Sequence, residues 1–218
     1  MKNVVSSARS PVLPMALRRP LAVVAVLSAL TVGTLGFVYA GHSQPGLFDR
    51  WVPPTLVNVD SLPADLADLL ASSGEPEGAI PAVVVLVAVC LLVRRPRMAV
   101  LAVAGPVLTV GVVTVLKHVF RRTIYGDNLS FPSGHTSFAT ALAFVFGLLL
   151  IERFGLSRRA GLALLFVLTT ATGAVMGWVV VALRLHYTTD AFGGFGSALI
   201  IVPIAAWLVD RAAVGIFS

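Results

Sequence analysis

Three clusters of titratable residues stand at the edges of long apolar runs: Lys117 to Arg122, Ser130-Phe131-Pro132-Ser133-Gly134-His135, and Arg184 to Asp190. A turn of small residues that opens a helix frees backbone N–H groups and can cradle an anion, and a histidine in that turn can trade protons with it. Lys117, Arg121, Arg122 and Arg184 bring four positive charges to these clusters, against only Asp127 and Asp190. Cations without matching acids invite an anionic ligand, and guanidinium forks suit phosphate oxygens. The Ser133 hydroxyl and the N–H groups from Gly134 onward complete a phosphate cradle.

His186 and Asp190 are four residues apart, so on a helical turn they share a face and the carboxylate can hold one ring N–H. The other ring nitrogen is then unprotonated and available as a nucleophile, while His135 protonates the leaving oxygen. Two histidines with opposite duties, plus cations to stabilise a five-coordinate phosphorus, make a phosphoryl-transfer site that needs no metal and no cofactor. A metal centre calls for ligands converging with carboxylates or cysteines, which two separated histidines among four cations do not supply.

The elements that must position these groups are read from hydropathy. The 218 residues are 57% hydrophobic and 12% charged, with mean hydropathy +0.94, which excludes a soluble globular domain. Nearly uncharged runs occupy Pro20 to Ala40, Ala79 to Val93, Met98 to Leu116, His135 to Ile151, Ala160 to Leu183 and Ala191 to Val209. Each is about 15 to 24 residues, enough to span a ~30 Å hydrocarbon core, the second only just. The expected fold is all-α: a short segment over residues 1–19, then a six-transmembrane-helix bundle over 20–218 with its catalytic motifs at one membrane face.

Charge sets the orientation. With the N-terminus cytoplasmic, Lys2, Arg9, Arg18, Arg19, Arg94, Arg95, Arg97, Arg153, Arg158, Arg159 and Arg211 lie inside. Only Arg50, Lys117, Arg121, Arg122 and Arg184 lie outside, as the positive-inside rule asks of a multi-pass cell-membrane protein. Loop arginines account for the net charge of +6, so no nucleic-acid partner is implied. In this topology all three clusters reach the extracytoplasmic face at one level, where titratable groups near a membrane core are costly and usually functional. Nothing in the sequence sets an oligomeric state.

The start of the chain imitates a secretory signal, with Val38-Tyr39-Ala40 before Gly41, but its apolar run exceeds the usual ~7 to 15 residues. An uncleaved signal-anchor helix is expected, and cleavage would leave five spans and an unaffected site. The external loop, residues 41–78, carries Asp49, Asp60, Asp65, Asp68, Glu75 and Glu77. Leu62, Leu66, Leu69 and Leu70 recur there at helical spacing, consistent with a short amphipathic helix. Trp51 and Pro53-Pro54 suit an interfacial anchor and a helix stop.

Taken together, the clusters resemble the signature of the type 2 phosphatidic acid phosphatase superfamily of membrane lipid phosphatases: a Lys/Arg-rich first motif, Pro-Ser-Gly-His, then Arg with His-x-x-x-Asp. The resemblance covers most of the chain from about Met98 onward. It implies His186 as the nucleophile that forms a phosphohistidine, Asp190 as its orienting partner, His135 as general acid, and Lys117, Ser133 and Gly134 as phosphate ligands. Two departures from the pattern stand out. Ile124 occupies the usual arginine place of the first motif, leaving Arg121 or Arg122 to bind phosphate, and Val180 occupies that of the third, with Arg184 one helical turn nearer His186. Implied substrates are lipid phosphates or diphosphates: polyprenyl carriers of envelope synthesis, phosphatidic acid and phosphatidylglycerol phosphate. The Ala- and Val-rich, Lys-poor composition is that of a GC-rich bacterial genome. The vanadate of soluble haloperoxidase relatives does not suit a six-span chain.

Blander readings apply to the neighbours. Asp127 and Asn128 read as a turn before the central motif, His118 as interfacial, and His42 as a loop residue without a role. Ala139, Ala143 and Gly147, with Gly173 and Gly177, read as small-residue stripes for close helix packing. The rival to an enzyme is a non-catalytic transporter or scaffold that binds phospholipid headgroups in the same cradle.

Overall fold

A computed structural model describes residues 11–51 and 69–215. Its long helices are α1 (Met15–Val38), α3 (Pro76–Leu92), α4 (Pro96–Phe120), α5 (Gly134–Phe154), α6 (Arg158–Ala182) and α7 (Thr188–Gly215), with a single-turn α2 (Leu47–Trp51) in the loop after α1. All six apolar runs are therefore helical. Five of these helices are long and apolar enough to cross a membrane, while α3, with 17 residues, rises only about 25 Å. The expected count of six spans thus becomes five and one shorter apolar helix among the described residues.

Several helix ends follow local rules. Ser157 and Ser133 cap α6 and α5, each accepting an N–H three residues on, and Gly155 ends α5 in the left-handed region at φ 59°. Between α4 and α5 the sequence reading places only a turn. The chain there forms a small antiparallel hairpin, β1 (Thr123–Ile124) with β2 (Asn128–Leu129), around Tyr125, Gly126 and Asp127. The expected turn at Asp127 is present, and Asn128 opens the return strand.

α7 lies at the centre, packing on α1, α4 and α5, with α6 outside α5. Leu101, Phe144, Val145, Leu148, Ala198 and Val202 fill the middle of the bundle. At one end a smaller cluster of Val32, Phe120 and Phe131 is tied by edge-to-face rings, Phe120 to Phe131 at 5.5 Å. At the other end Asp210 accepts the N–H groups of Val12 and Leu13 and pairs with Arg18 at 3.2 Å. Residues just before α1 are thereby folded against the bundle.

Glycines let α7 approach its neighbours. On α6, Gly173 meets Phe195 and Gly177 meets Ala191 of α7, while Gly147 of α5 meets Leu165 of α6, so three of the five stripe residues serve helix contact. Ala139 and Ala143 instead line an apolar cleft between α3, α5 and α6, because α3 leans on α4 and barely touches α5. The closest approach to backbone is Gly194, where a Cβ would stand 2.3 Å from the Ser133 carbonyl oxygen and 3.1 Å from the Ser137 nitrogen. Both obstacles are backbone at the start of α5. Gly194→Ala is expected to destabilise by about 1–3 kcal/mol through overpacking. Gly134→Ala, with nothing within 4 Å of its added carbon, should stay within about 0.5 kcal/mol. Denaturant unfolding in detergent compares the two, and equal midpoints would refute the tight crossing.

Candidate active site

The helices alternate in direction, so α1, α4 and α6 end where α3, α5 and α7 begin. All three motifs meet at that end. The first turn of α5 is locked to the first turn of α7 by the Ser133 N–H, which donates to the Asp190 carbonyl at 2.9 Å. The imidazoles of His135 and His186 lie across this joint, with centroids 5.9 Å apart. Residues distant in sequence thus form one pair of facing rings.

His186 is buried at 7% exposure, and its Nδ1 lies 3.7 Å from Asp190 Oδ2. That is longer than a hydrogen bond, and Nδ1 has no other partner. Asp190 is itself held firmly. Its Oδ2 accepts the Tyr187 N–H at 2.9 Å, in the manner of a helix capping box, and its Oδ1 accepts Arg122 Nη1 at 2.6 Å. The two residues are thus neighbours without the expected hydrogen bond, because His186 lies on the bend before α7 and not on its helical face.

Arg122 is fully buried, with both Nη atoms taken by protein and its Nε left without a partner. Nη1 donates to Thr189 Oγ1 and Asp190 Oδ1, Nη2 donates to Asp49 Oδ2 at 2.6 Å, and the guanidinium is sandwiched between the rings of Tyr39 and Tyr187 at 4.3 and 4.4 Å. Ser130 holds its carbonyl from the hairpin side. Arg121, the alternative phosphate ligand, ends α4 in the left-handed region, is exposed, and turns its Nε back to the His118 carbonyl. Neither guanidinium stands free beside the histidines.

The other expected ligands divide. Lys117, half-buried on the last turn of α4, lies within electrostatic range of Asp190 and Glu75. Ser133 is buried, and its hydroxyl contacts the N–H and hydroxyl of Thr136 as a helix cap. Gly134 and His135 open α5, where N–H groups have no acceptor within the helix, and the space above Gly134 is clear. Arg184 sits beyond the end of α6 at φ 58°, so the one-turn helical relation to Val180 does not hold. Its exposed side chain lines the rim of a polar vestibule of about 1040 Å³ that His186, Tyr187, Asp49 and Arg50 also line. Val180 is buried and accepts the N–H groups of Leu185 and His186 with its carbonyl.

Several site residues escape a reading of the sequence alone. Asp49 of α2 is buried and accepts four hydrogen bonds, from Gly46 N–H, Arg122, Thr189 N–H and the Thr189 hydroxyl. It makes the loop after α1 part of the site. Tyr39 does the same for α1, so cleavage near Val38-Tyr39-Ala40 would strip one face from Arg122, contrary to the expectation of an unaffected site. Tyr187 donates its hydroxyl to the Ser43 carbonyl at 3.1 Å; burial, opposed by Arg122, pushes this phenol above its ordinary pKa and keeps the donor protonated. Glu75 reaches His135 Nε2 at 3.0 Å. Leu69 and Leu70 belong to a helical turn over residues 69–72, whereas Pro53, Pro54, Leu62, Asp65, Leu66 and Asp68 lie outside the described residues. Trp51 is 83% exposed, as an interfacial anchor requires.

The arrangement brings two imidazoles together at the open N-terminus of α5, with Lys117 within electrostatic range of Asp190. Among the described residues, no group of three or more His, Cys, Asp or Glu is placed to hold a metal ion. An apolar cleft of about 600 Å³ is lined by Leu70, Ser73, Phe138 and Val179, and His186 lines the separate polar vestibule. The family model of the PAP2 superfamily matches residues 116–213, which hold all three motifs. No curated protein and no solved structure matches the chain.

Proposed function

With residues 116–213 carrying the PAP2 superfamily match as the premise, we propose that this chain is a metal-independent membrane lipid phosphatase acting through a phosphohistidine. The match supports phosphoric-ester hydrolysis as the reaction class, and the long apolar helices make the chain a multi-pass membrane protein. The finer reading rests on one observation above all. His186 lines the polar vestibule, and its ring centroid is 5.9 Å from that of His135, which packs on Gly74 beside Ser73 of the apolar cleft.

That placement suits in-line displacement. A lipid tail in the cleft brings the ester oxygen to the His135 side, and the phosphoryl group then lies toward His186. Attack by the ring nitrogen of His186 that faces away from Asp190 breaks the bond from phosphorus to the lipid oxygen, and His135 supplies that oxygen with a proton. Lys117 and the first N–H groups of α5 neutralise the equatorial oxygens, where stabilisation of charge dominates the barrier. Water then hydrolyses the phosphohistidine with His135 as base. In the 3.7 Å contact, Asp190 is poised to tighten on His186 once substrate is bound, as catalytic hydrogen bonds often do.

The same end of the bundle faces out of the cytoplasm in this reading. Arg18, Arg19, Arg94, Arg95, Arg97, Arg153, Arg158 and Arg159 all lie toward the opposite end, which the positive-inside rule assigns to the cytoplasm. In a bacterium the site is then periplasmic. Candidate substrates are polyprenyl monophosphate or diphosphate, phosphatidic acid and phosphatidylglycerol phosphate. The purified protein in detergent, given each of these, is expected to release inorganic phosphate from at least one. Binding without release across the whole panel would make it a headgroup-binding protein instead.

A further inference from the structure

Glu75 closes the turn that leads into α3, and its Oε1 lies 3.0 Å from His135 Nε2. The carboxylate side chain is 59% exposed while the imidazole is 14% exposed, so the contact covers the ring nitrogen and leaves the acid wet; it is an ion-pair approach, and Nε2 makes no hydrogen bond in it. Local structure does not ask for this. Glu75 is the N-cap of α3, yet it makes no capping hydrogen bond to the free N–H groups of that helix. Gly74 packs on the same ring: a Cβ there would stand 2.4 Å from His135 Cδ2. The turn is shaped to the imidazole. The other charged or titratable groups that act on His135 are His186 and Lys117, so Glu75 is the anion among them.

We propose that Glu75 is the positioning carboxylate of His135: from 3.0 Å it turns to accept Nε2–H once the ring is protonated, fixes the ring toward the phosphate, and pairs with the imidazolium that protonates the leaving group. The proposal rests on the phosphatase reading above. Each histidine then has its own acid, His186 from one turn along α7 and His135 from a distant segment of the chain. In the first step a bond forms from His186 Nε2 to phosphorus as the bond from phosphorus to the alcohol oxygen breaks. The proton on His135 Nδ1 passes to that oxygen and releases the alcohol, leaving His135 neutral with its remaining proton facing Glu75. Glu75 itself neither gains nor loses a proton. It acts by orientation and charge.

Leaving-group dependence tests this. An alkyl phosphate expels its alcohol only with a proton, whereas a nitrophenyl phosphate expels its phenolate without one. For the full chain in detergent, kcat/KM reports events through the first P–O cleavage and is blind to later hydrolysis of the phosphohistidine. Glu75→Gln is expected to lower kcat/KM about 10- to 100-fold on the alkyl ester and no more than about threefold on the nitrophenyl ester. Glu75→Asp should recover part of the alkyl activity. Equal losses on both esters would reduce Glu75 to a structural residue, and unchanged activity on both would remove it from the reaction; either overturns the proposal. A rise on either ester would show a carboxylate that obstructs phosphate, which overturns it too. A wild-type protein inactive on both overturns the phosphatase reading and this pairing with it.

Discussion

His186→Gln is expected to lower turnover on any lipid phosphate by about 10⁴-fold or more, because it removes the nucleophile while leaving the rest of the site in place. The substitution tests chemistry rather than folding. His186 makes no side-chain hydrogen bond, its Nδ1 being without a partner, and its backbone N–H still reaches the Val180 carbonyl at 3.1 Å. Thermal unfolding should therefore stay close to wild type. Rapid denaturation of wild type in alkaline detergent, which spares the acid-labile P–N bond, is expected to trap one phosphoryl group from a labelled substrate on His186, and the variant should trap none. A label mapped to any other residue would refute His186 as nucleophile, and wild-type turnover by the variant would refute the mechanism altogether.

Asp190 enters the same argument through geometry. Its two oxygens are committed to Arg122 and to the Tyr187 N–H, and only the 3.7 Å contact joins it to His186. The carboxylate is thus held as a fixed wall against which the imidazole is oriented. Arg122, with both Nη atoms taken, supports Asp190 and through it His186. In the proposed reaction the cations left to meet phosphate are Lys117 and, on the vestibule wall, Arg184.

How much of this is legible without coordinates follows from the range of each interaction. His186 and Asp190 share a turn, and Pro132 to His135 form one cap, so spacing alone reveals them. The apolar runs show because membrane-length hydropathy is a local average. Arg122 is different. In sequence it is one of two adjacent arginines, and only tertiary contact with Asp49 turns a cation into a buried strut. Asp49 is one of six acids in its loop and stands beside Arg50, which disguises it as half of a surface pair. Glu75 likewise reads as an ordinary helix-start acid, and Tyr39 as part of a cleavage-site imitation. Each gained its role from a contact the local pattern does not encode. Phe192-Gly193-Gly194-Phe195-Gly196 could have signalled close packing, since three glycines in an apolar helix are costly without such a reason. In the structure Gly193 meets the Phe131 ring, Gly194 the Ser133 backbone and Gly196 Val32.

Asp49→Asn is expected to be nearly as damaging as Asp49→Ala, although asparagine matches aspartate in shape. The Asp49 carboxylate accepts from four donors: Gly46 N–H and Arg122 Nη2 on Oδ2, Thr189 N–H and its hydroxyl on Oδ1. An amide has one accepting oxygen, so whichever way it turns, its NH₂ meets donors and leaves them unpaired. The Arg122 guanidinium, fully buried, also loses one of its two counter-charges. Breaking one partner from a buried ion pair costs about 3–5 kcal/mol, and each variant should lose stability on that scale. Asp127→Asn, in the exposed hairpin turn, should be silent. Activity should fall as well, because the strain passes from Asp49 through Arg122 and Asp190 to His186, which is the order in which the side chains touch. Denaturant unfolding and turnover measured on the same detergent samples separate the two effects. If Asp49→Asn keeps wild-type stability, the loop after α1 does not hold the site together, and Arg122 is free to be the phosphate ligand that its place in the first motif suggests.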